Sequence, residues 1–302
     1  MNSAQFSFFF AFLGLLLTMA SCQTPSSNPL TLQFQQIADS LDGKLGISAL
    51  HLESGESVSF QGNKPFPMQS VYKFPIAMVM LHEIDKGAFS LADSITVDKS
   101  EYIPKAGHSP LRNQYPHGCT KTLEDILQYN VSQSDGTACD VLLRLLGGPA
   151  KVQEKLKEWG IHQIAIATTE MVQVANDSIQ YQNWAHPDAM NQLLQIFHQG
   201  KVLSERSTTL LTAWMSISNK WFDRRLKGLL PKGTQVIHKT GTARTYNGLT
   251  RATNDAGIII LPNGNHLAIS VFVSDSYDSQ EKREKTIAQV AKATYDYWNK
   301  KE

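Results

Sequence analysis

The sequence predicts an α+β protein: an antiparallel five-stranded sheet flanked by N- and C-terminal helices, joined to an all-helical part. Three observations predict it. Strand-like segments lie near the two ends, at residues 45–52 and 58–60 and again at 236–243, 256–261 and 267–273. The long stretch between them carries helix caps and helical spacing instead. The last two strands are separated only by Pro262, Asn263, Gly264 and Asn265, a turn short enough to favour an antiparallel hairpin.

The elements follow in order. Leu32, Phe34, Ile37 and Leu41 are spaced for a helix that ends near Gly43. Leu45 to Leu52 and Val58 to Phe60 pair through a Glu53, Ser54, Gly55 turn. The unbroken apolar run Ile76 to Leu81 requires a buried helix. Thr122 with Asp125 three residues on starts the next one. Thr137 to Leu146 is closed by Gly147 and Gly148, and Pro149 opens a helix that Gly160 ends. Asp188 to Gln199, Glu205 to Ile217 and an amphipathic segment from about Glu281 to Trp298 complete the set. The chain divides into a sheet part, residues 30–68 and 220–302, and a helical part, residues 69–219, with no internal repeats.

Composition narrows the function. Of 302 residues, 42% are hydrophobic and 18% charged, an ordinary globular balance. Lys and Arg number 28 against 27 Asp and Glu, so the net charge of +1 offers no basic field for nucleic acid. The nine histidines have no HxH, HExxH or CxxC companion spacing, which disfavours zinc hydrolysis and leaves no metal or cofactor implied. A monomer is expected. Cys119 and Cys139 remain after processing; Cys139 reads as a small buried apolar group, with a bridge to Cys119 as the alternative. Trp184, Trp214 and Trp221 read as packing residues.

The N-terminal run Phe6 to Ala20 is short of the roughly 20 apolar residues needed to span a bilayer, and it reads as an export signal. Residues 1–22 form the signal and 23–29 a linker, so the mature chain is expected outside the cytoplasm, in the periplasm. Ala20 and Ser21 ahead of Cys22 are similar to a lipoprotein cleavage box. A lipid anchor on Cys22 and a cleaved soluble signal both fit.

Chemistry concentrates in three short motifs. Ser70 and Lys73 stand three residues apart at the mouth of the buried helix, so on a helical turn hydroxyl and amine share one face. Burial is expected to lower the amine's pKa and make Lys73 a base for Ser70. Pro75 has no N–H and should tighten or kink this first turn. Ser134, Asp135 and Gly136 interrupt two helices. Lys239, Thr240 and Gly241 lie on a strand, where the missing side chain of Gly241 is expected to let a ligand approach the backbone.

In this order and separation, with an export signal in front, the three motifs resemble those of the serine β-lactamase and penicillin-binding protein superfamily. Glu170 matches the loop glutamate of class A β-lactamases within the helix-poor stretch Ala165 to Trp184. Gln180 to Trp184, Phe66 to Ser70, Ala138 to Asp140 and Leu226 to Gly233 are similar to the PER-type branch of that class. The likeness covers essentially the whole mature chain.

The resemblance implies a small β-lactam substrate, cephalosporin or penicillin, and a catalytic set of Ser70, Lys73, Ser134 and Glu170. It implies an oxyanion hole from the backbone N–H groups of Ser70 and Thr242. Lys239, Thr240, Gly241, Thr242, Gly136 and an arginine would contact the substrate. Arg225, Arg244 and Arg251 are the candidates for that arginine, and Arg225 is chosen because the PER-type branch carries one there. Gly136 replaces the usual asparagine, Asp140 another, and Val174 the asparagine four positions after the glutamate, which implies a different loop fold. His108 reads as a surface residue, with an aromatic gatekeeper of the site as the alternative. A peptidoglycan D-alanyl-D-alanine peptidase and a β-lactam sensor that stays acylated are the rival readings.

Overall fold

The computed structural model describes residues 28–217 and 223–301. The signal and Cys22 readings, most of the linker, and Trp221 lie outside the described residues. Five strands form the sheet, in the spatial order Ser57–Phe60, Lys44–His51, His266–Ser274, Thr253–Ile260, Val236–Thr242. Every neighbouring pair is antiparallel. As expected, Leu261 N–H closes the last hairpin on the Asn265 carbonyl at 2.8 Å.

Alternation along the strands sends side chains to two different cores. Leu45, Ile47, Ile269, Val271 and Val273 face the terminal helices Pro29–Asp39 and Gln280–Asn299, meeting Leu30, Phe34, Ile287, Val290 and Trp298. Ala256, Ile258, Ala268 and Phe272 face the helical part. Helix Pro187–His198 bridges the two, with Asn191 donating to the Ala268 carbonyl and accepting from the Ser270 hydroxyl at 2.7 Å.

Helix Lys73–Asp85 runs through the second core with residues 73–81 all buried, the behaviour of a helix that is apolar all round. Leu123–Ser132, Gly136–Leu146, Pro149–Glu158 and Glu205–Met215 surround it. Their caps are those the sequence announces. Thr122 and Asp125 make a reciprocal capping box, Gly147 adopts the left-handed conformation (φ 87°), and Pro149 occupies the first turn.

Two departures bear on the site. The strand expected to begin at Ala256 begins at Thr253, because buried Asn254 and Asp255 find partners and extend the ladder. The stretch expected to be helix-poor contains helix Glu170–Ala175 and a 3-10 helix, Asp177–Gln182. Six residues are too few to print a 3.6-residue period on the sequence. Ala165 pairs with Trp184, so the two ends of this loop are tied together at its base. Cys119 and Cys139 are both free thiols, and Cys139 is buried as expected.

Candidate active site

Ser70 sits in a 3-10 helix, Gln69–Tyr72, which passes into the central α-helix at Lys73. The tight first turn agrees with the expected effect of Pro75. The turn is pressed against strand Val236–Thr242. A Cβ at Gly241 would come within 2.4 Å of the Met68 carbonyl and 3.1 Å of the Val71 nitrogen. The expectation for Gly241 is therefore corrected: its missing side chain admits the serine-bearing turn rather than a ligand. Asn254 secures the same turn, donating to the carbonyls of Pro67 at 2.7 Å and Met68 at 3.0 Å.

Lys73 Nζ donates to Ser70 Oγ at 2.7 Å and forms a very short contact with Glu170 Oε1. One amine thus touches both the candidate nucleophile and the candidate base. Burial is the largest single influence on the Lys73 amine and pulls its pKa down, but the Glu170 carboxylate beside it, together with Cys139 and Asp140 close by, outweighs this, and the pKa stands above the ordinary lysine value. The sequence expectation of a lowered pKa is overturned, since it counted burial without the carboxylate. In the resting site Lys73 is an ammonium.

Glu170 is aimed by its backbone. Asp140 Oδ1 accepts from the Glu170 N–H at 2.7 Å and Oδ2 from the Met171 N–H at 2.8 Å, while Thr169 caps the same helix. The Asp140 substitution therefore preserves a link between the helical core and the loop, carried by a carboxylate on two backbone donors. Burial nevertheless raises the Asp140 pKa to about 7. Asn183 fastens the loop base, accepting from the N–H groups of Ala167 and Thr168 and donating to the Thr168 carbonyl. Val174 packs beside Gly107 instead of offering an amide.

On the opposite wall, Lys239 Nζ donates to Ser134 Oγ at 2.8 Å. Ser134 has φ 55°, a left-handed conformation that is rare outside glycine. Asp135 holds it there by accepting from Ala138 N–H, Leu111 N–H and the Ser109 hydroxyl, all within 3.1 Å. Burial, reinforced by the charge of Lys73, brings the Lys239 pKa down to about 7.

Ser70, Lys73, Glu170 and Ser134 line two adjoining hollows that share Ser70, Ser134 and Thr242. The inner one, about 160 Å³, is closed by Glu170, Gln173 and Arg244. The outer one, about 570 Å³, reaches Thr240, Gln128 and Ile217. His108 is exposed and lines both, so the surface reading and the gatekeeper position coincide. Its Nε2 lies 2.9 Å from the Gln133 carbonyl.

Of the predicted contact residues, Lys239, Gly241, Gly136 and Arg225 do not line these hollows. Gly136 is buried, and a Cβ there would lie 2.5 Å from Ile103 Cδ1, so isoleucine fills the space an asparagine would need. Arg225 is 3% exposed and lies behind the strand. Its guanidinium donates to the carbonyls of Gly241 and Asn254 at 3.0 and 2.7 Å and to Thr242 Oγ1 at 2.6 Å, and it pairs with Glu284. Because Thr242 Oγ1 accepts from Arg225, its own proton is left for another acceptor. Of the other two arginines, Arg244 lines the inner hollow and Arg251 is paired with Asp177.

An amine joining a helix-mouth serine to a loop carboxylate, opposite a second serine and lysine, brings together the groups that serine acyl transfer requires. A model of the "Beta-lactamase enzyme family" matches residues 29–298 of the chain. The chain belongs to the β-lactamase enzyme family. The β-lactamase VEB-1 of Pseudomonas aeruginosa is 39% identical over 288 residues, covering 95% of each chain. The extended-spectrum β-lactamase PER-1 of the same organism is 36% identical, covering 95% of this chain and 93% of its own. A solved β-lactamase structure from Chitinophaga pinensis superposes with a TM-score of 0.87 at 41% identity, covering 90% of this chain and all of that one. The fold is that of class A β-lactamases, and the PER-type resemblance read from the motifs is borne out.

The sequence left several supporting residues of this β-lactamase unnoticed. Asn130 donates from its buried side chain to the Lys73 carbonyl at 3.1 Å. His238 and Asp255 form a buried pair at 2.8 Å directly before Lys239 and after Asn254. Polar residues in otherwise apolar elements were the only available signal for them.

Proposed function

We propose that this β-lactamase hydrolyses β-lactam antibiotics, cephalosporins and penicillins, through an acyl-enzyme on Ser70 that Glu170 releases with water. The observation that carries the reading is the single Lys73 amine joined to both Ser70 and Glu170. Ser70 Oγ attacks the lactam carbonyl, and the Ser70 and Thr242 N–H groups hold the oxyanion. The serine proton goes to Lys73 after that amine has passed its own to Glu170, or to Glu170 through a water. Ser134, backed by Lys239, delivers a proton to the departing nitrogen and is resupplied with the one taken from Ser70, which returns Lys73 and Glu170 to their starting states. Glu170, again a carboxylate, takes a proton from water; the resulting hydroxide attacks the ester, and Ser70 is reprotonated.

The substrate carboxylate is met by Lys239, Thr240 and the Thr242 hydroxyl, with Arg225 orienting Thr242 from behind. Lys239 is charged below its pKa of about 7 and neutral above it. The KM for anionic β-lactams is therefore expected to rise as pH increases through about 7. Lys239→Arg, which stays charged, should flatten that limb of the pH profile.

Gly136 deprives the substrate's acylamido group of the amide that the family's asparagine offers. Gly136→Asn alone should lower stability by about 1–3 kcal/mol, read by denaturant unfolding, because Ile103 is in the way. Adding Ile103→Ala should recover part of the loss and lower KM for acylamido cephalosporins.

The protein acts as a monomer exported to the periplasm, as the apolar run Phe6 to Ala20 suggests, with a lipid anchor at Cys22 and a role in antibiotic resistance. Among the described residues no helix is long and apolar enough to cross a membrane. A chromogenic cephalosporin, followed for turnover and protein mass together, tests the function. Repeated turnover supports it. A stable adduct without turnover would favour the peptidase or sensor reading instead.

A further inference from the structure

Outside the cleft, one cluster combines imidazoles with a carboxylate. Glu53 lies in the turn after strand Lys44–His51, His198 ends helix Pro187–His198, and His266 begins strand His266–Ser274. None of the three lines the hollows around Ser70. One ligand atom from each can be chosen so that all lie within 4.8 Å of one another. The two imidazole rings are 4.4 Å apart at 48°. His266 Nδ1 lies 2.8 Å from Glu53 Oε1, and the His266 backbone N–H donates to Glu53 Oε2 at 2.9 Å. The strand backbone thus fixes the carboxylate against the rings.

We propose that Glu53, His198 and His266 form a surface site for one borderline divalent transition-metal ion of the Zn²⁺ class. Nitrogen and oxygen ligands at about 2.0–2.2 Å around a tetrahedral ion stand about 3.3 Å apart. Rotation of the side chains closes the remaining gap. Two imidazoles and one carboxylate suit Zn²⁺, Ni²⁺ or Cu²⁺, whereas Mg²⁺ and Ca²⁺ prefer oxygen sets. The fourth position is left to water. The site would staple a helix end to two strand ends that are remote in sequence, so the ion would stabilise the fold by mass action and take no part in β-lactam hydrolysis.

The test is calorimetric titration of the chelator-treated, full-length chain with ZnCl₂, with thermal unfolding in parallel and MgCl₂ as control. One saturable Zn²⁺ site and a melting temperature that rises with Zn²⁺ but not Mg²⁺ are expected. Removing even an outer-shell partner of a metal site costs roughly 10- to 100-fold in affinity, so His198→Ala and His266→Ala should each weaken Zn²⁺ binding by at least that much. Cephalosporin turnover unchanged in both variants, measured without metal, shows that they are folded. Absence of saturable binding would overturn the proposal, as would an affinity that both His198→Ala and His266→Ala leave unchanged.

Discussion

Glu170→Gln is expected to convert the protein from a turnover enzyme into one that is trapped as a covalent adduct. Glutamine keeps the volume and one oxygen toward Lys73, but it cannot take a proton from water. Loss of a general base typically costs about 10²–10⁴-fold, and here the loss should fall on hydrolysis of the ester. Acylation should survive for a reason visible in the site. With the carboxylate gone, burial is the dominant influence left on Lys73, and the amine moves toward its neutral form. It can then accept the Ser70 proton directly. Intact-mass measurement after mixing with a cephalosporin should show a long-lived adduct; steady-state turnover at the wild-type rate would remove Glu170 from the mechanism.

Lys73→Met should fail at the opposite step. The methionine fills the position of a side chain that is 1% exposed, so the helix retains its packing, and circular dichroism should show a folded protein. Ser70 loses the amine 2.7 Å from its hydroxyl, and Glu170 loses the ammonium that joins it to Ser70. Acylation should slow by about 10²–10⁴-fold. No adduct should accumulate, because whatever ester forms still has Glu170 to release it. Two variants of one contact pair thus have opposite mass signatures, a contrast that general damage to the cleft would not produce. An adduct that builds up in Lys73→Met as in Glu170→Gln would contradict the assignment of roles.

How much was legible in the sequence depended on whether the signal was local. Helix ends were readable because their caps are short-range: Thr122 with Asp125, Gly147, Pro149. Strands 45–52 and 267–273 were readable because alternation and β-branched residues mark them. The spacing of Ser70 and Lys73 carried their contact, and motif order carried the family. What was lost is tertiary. The charge of Lys73 depends on Glu170, 97 residues away. Arg225 reads as a substrate contact until Glu284 and Thr242 are seen to enclose it. Gly136 reads as a missing contact, and only the structure shows Ile103 occupying the space. Histidine spacing suggested no metal site, yet folding gathers His198 and His266 beside Glu53. Asn254 and Asp255 broke the apolar pattern of a strand because they serve the turn below it and the histidine beside it.

The central claim is that one hydroxyl is esterified and freed in every cycle. Rapid-quench mass spectrometry of the wild-type protein with a slowly hydrolysed cephalosporin tests it most directly. The adduct should appear on the peptide containing Ser70 before product is released, and should then decay at the rate at which product forms. Product released with no adduct on that peptide, or an adduct that persists while turnover continues, would contradict it.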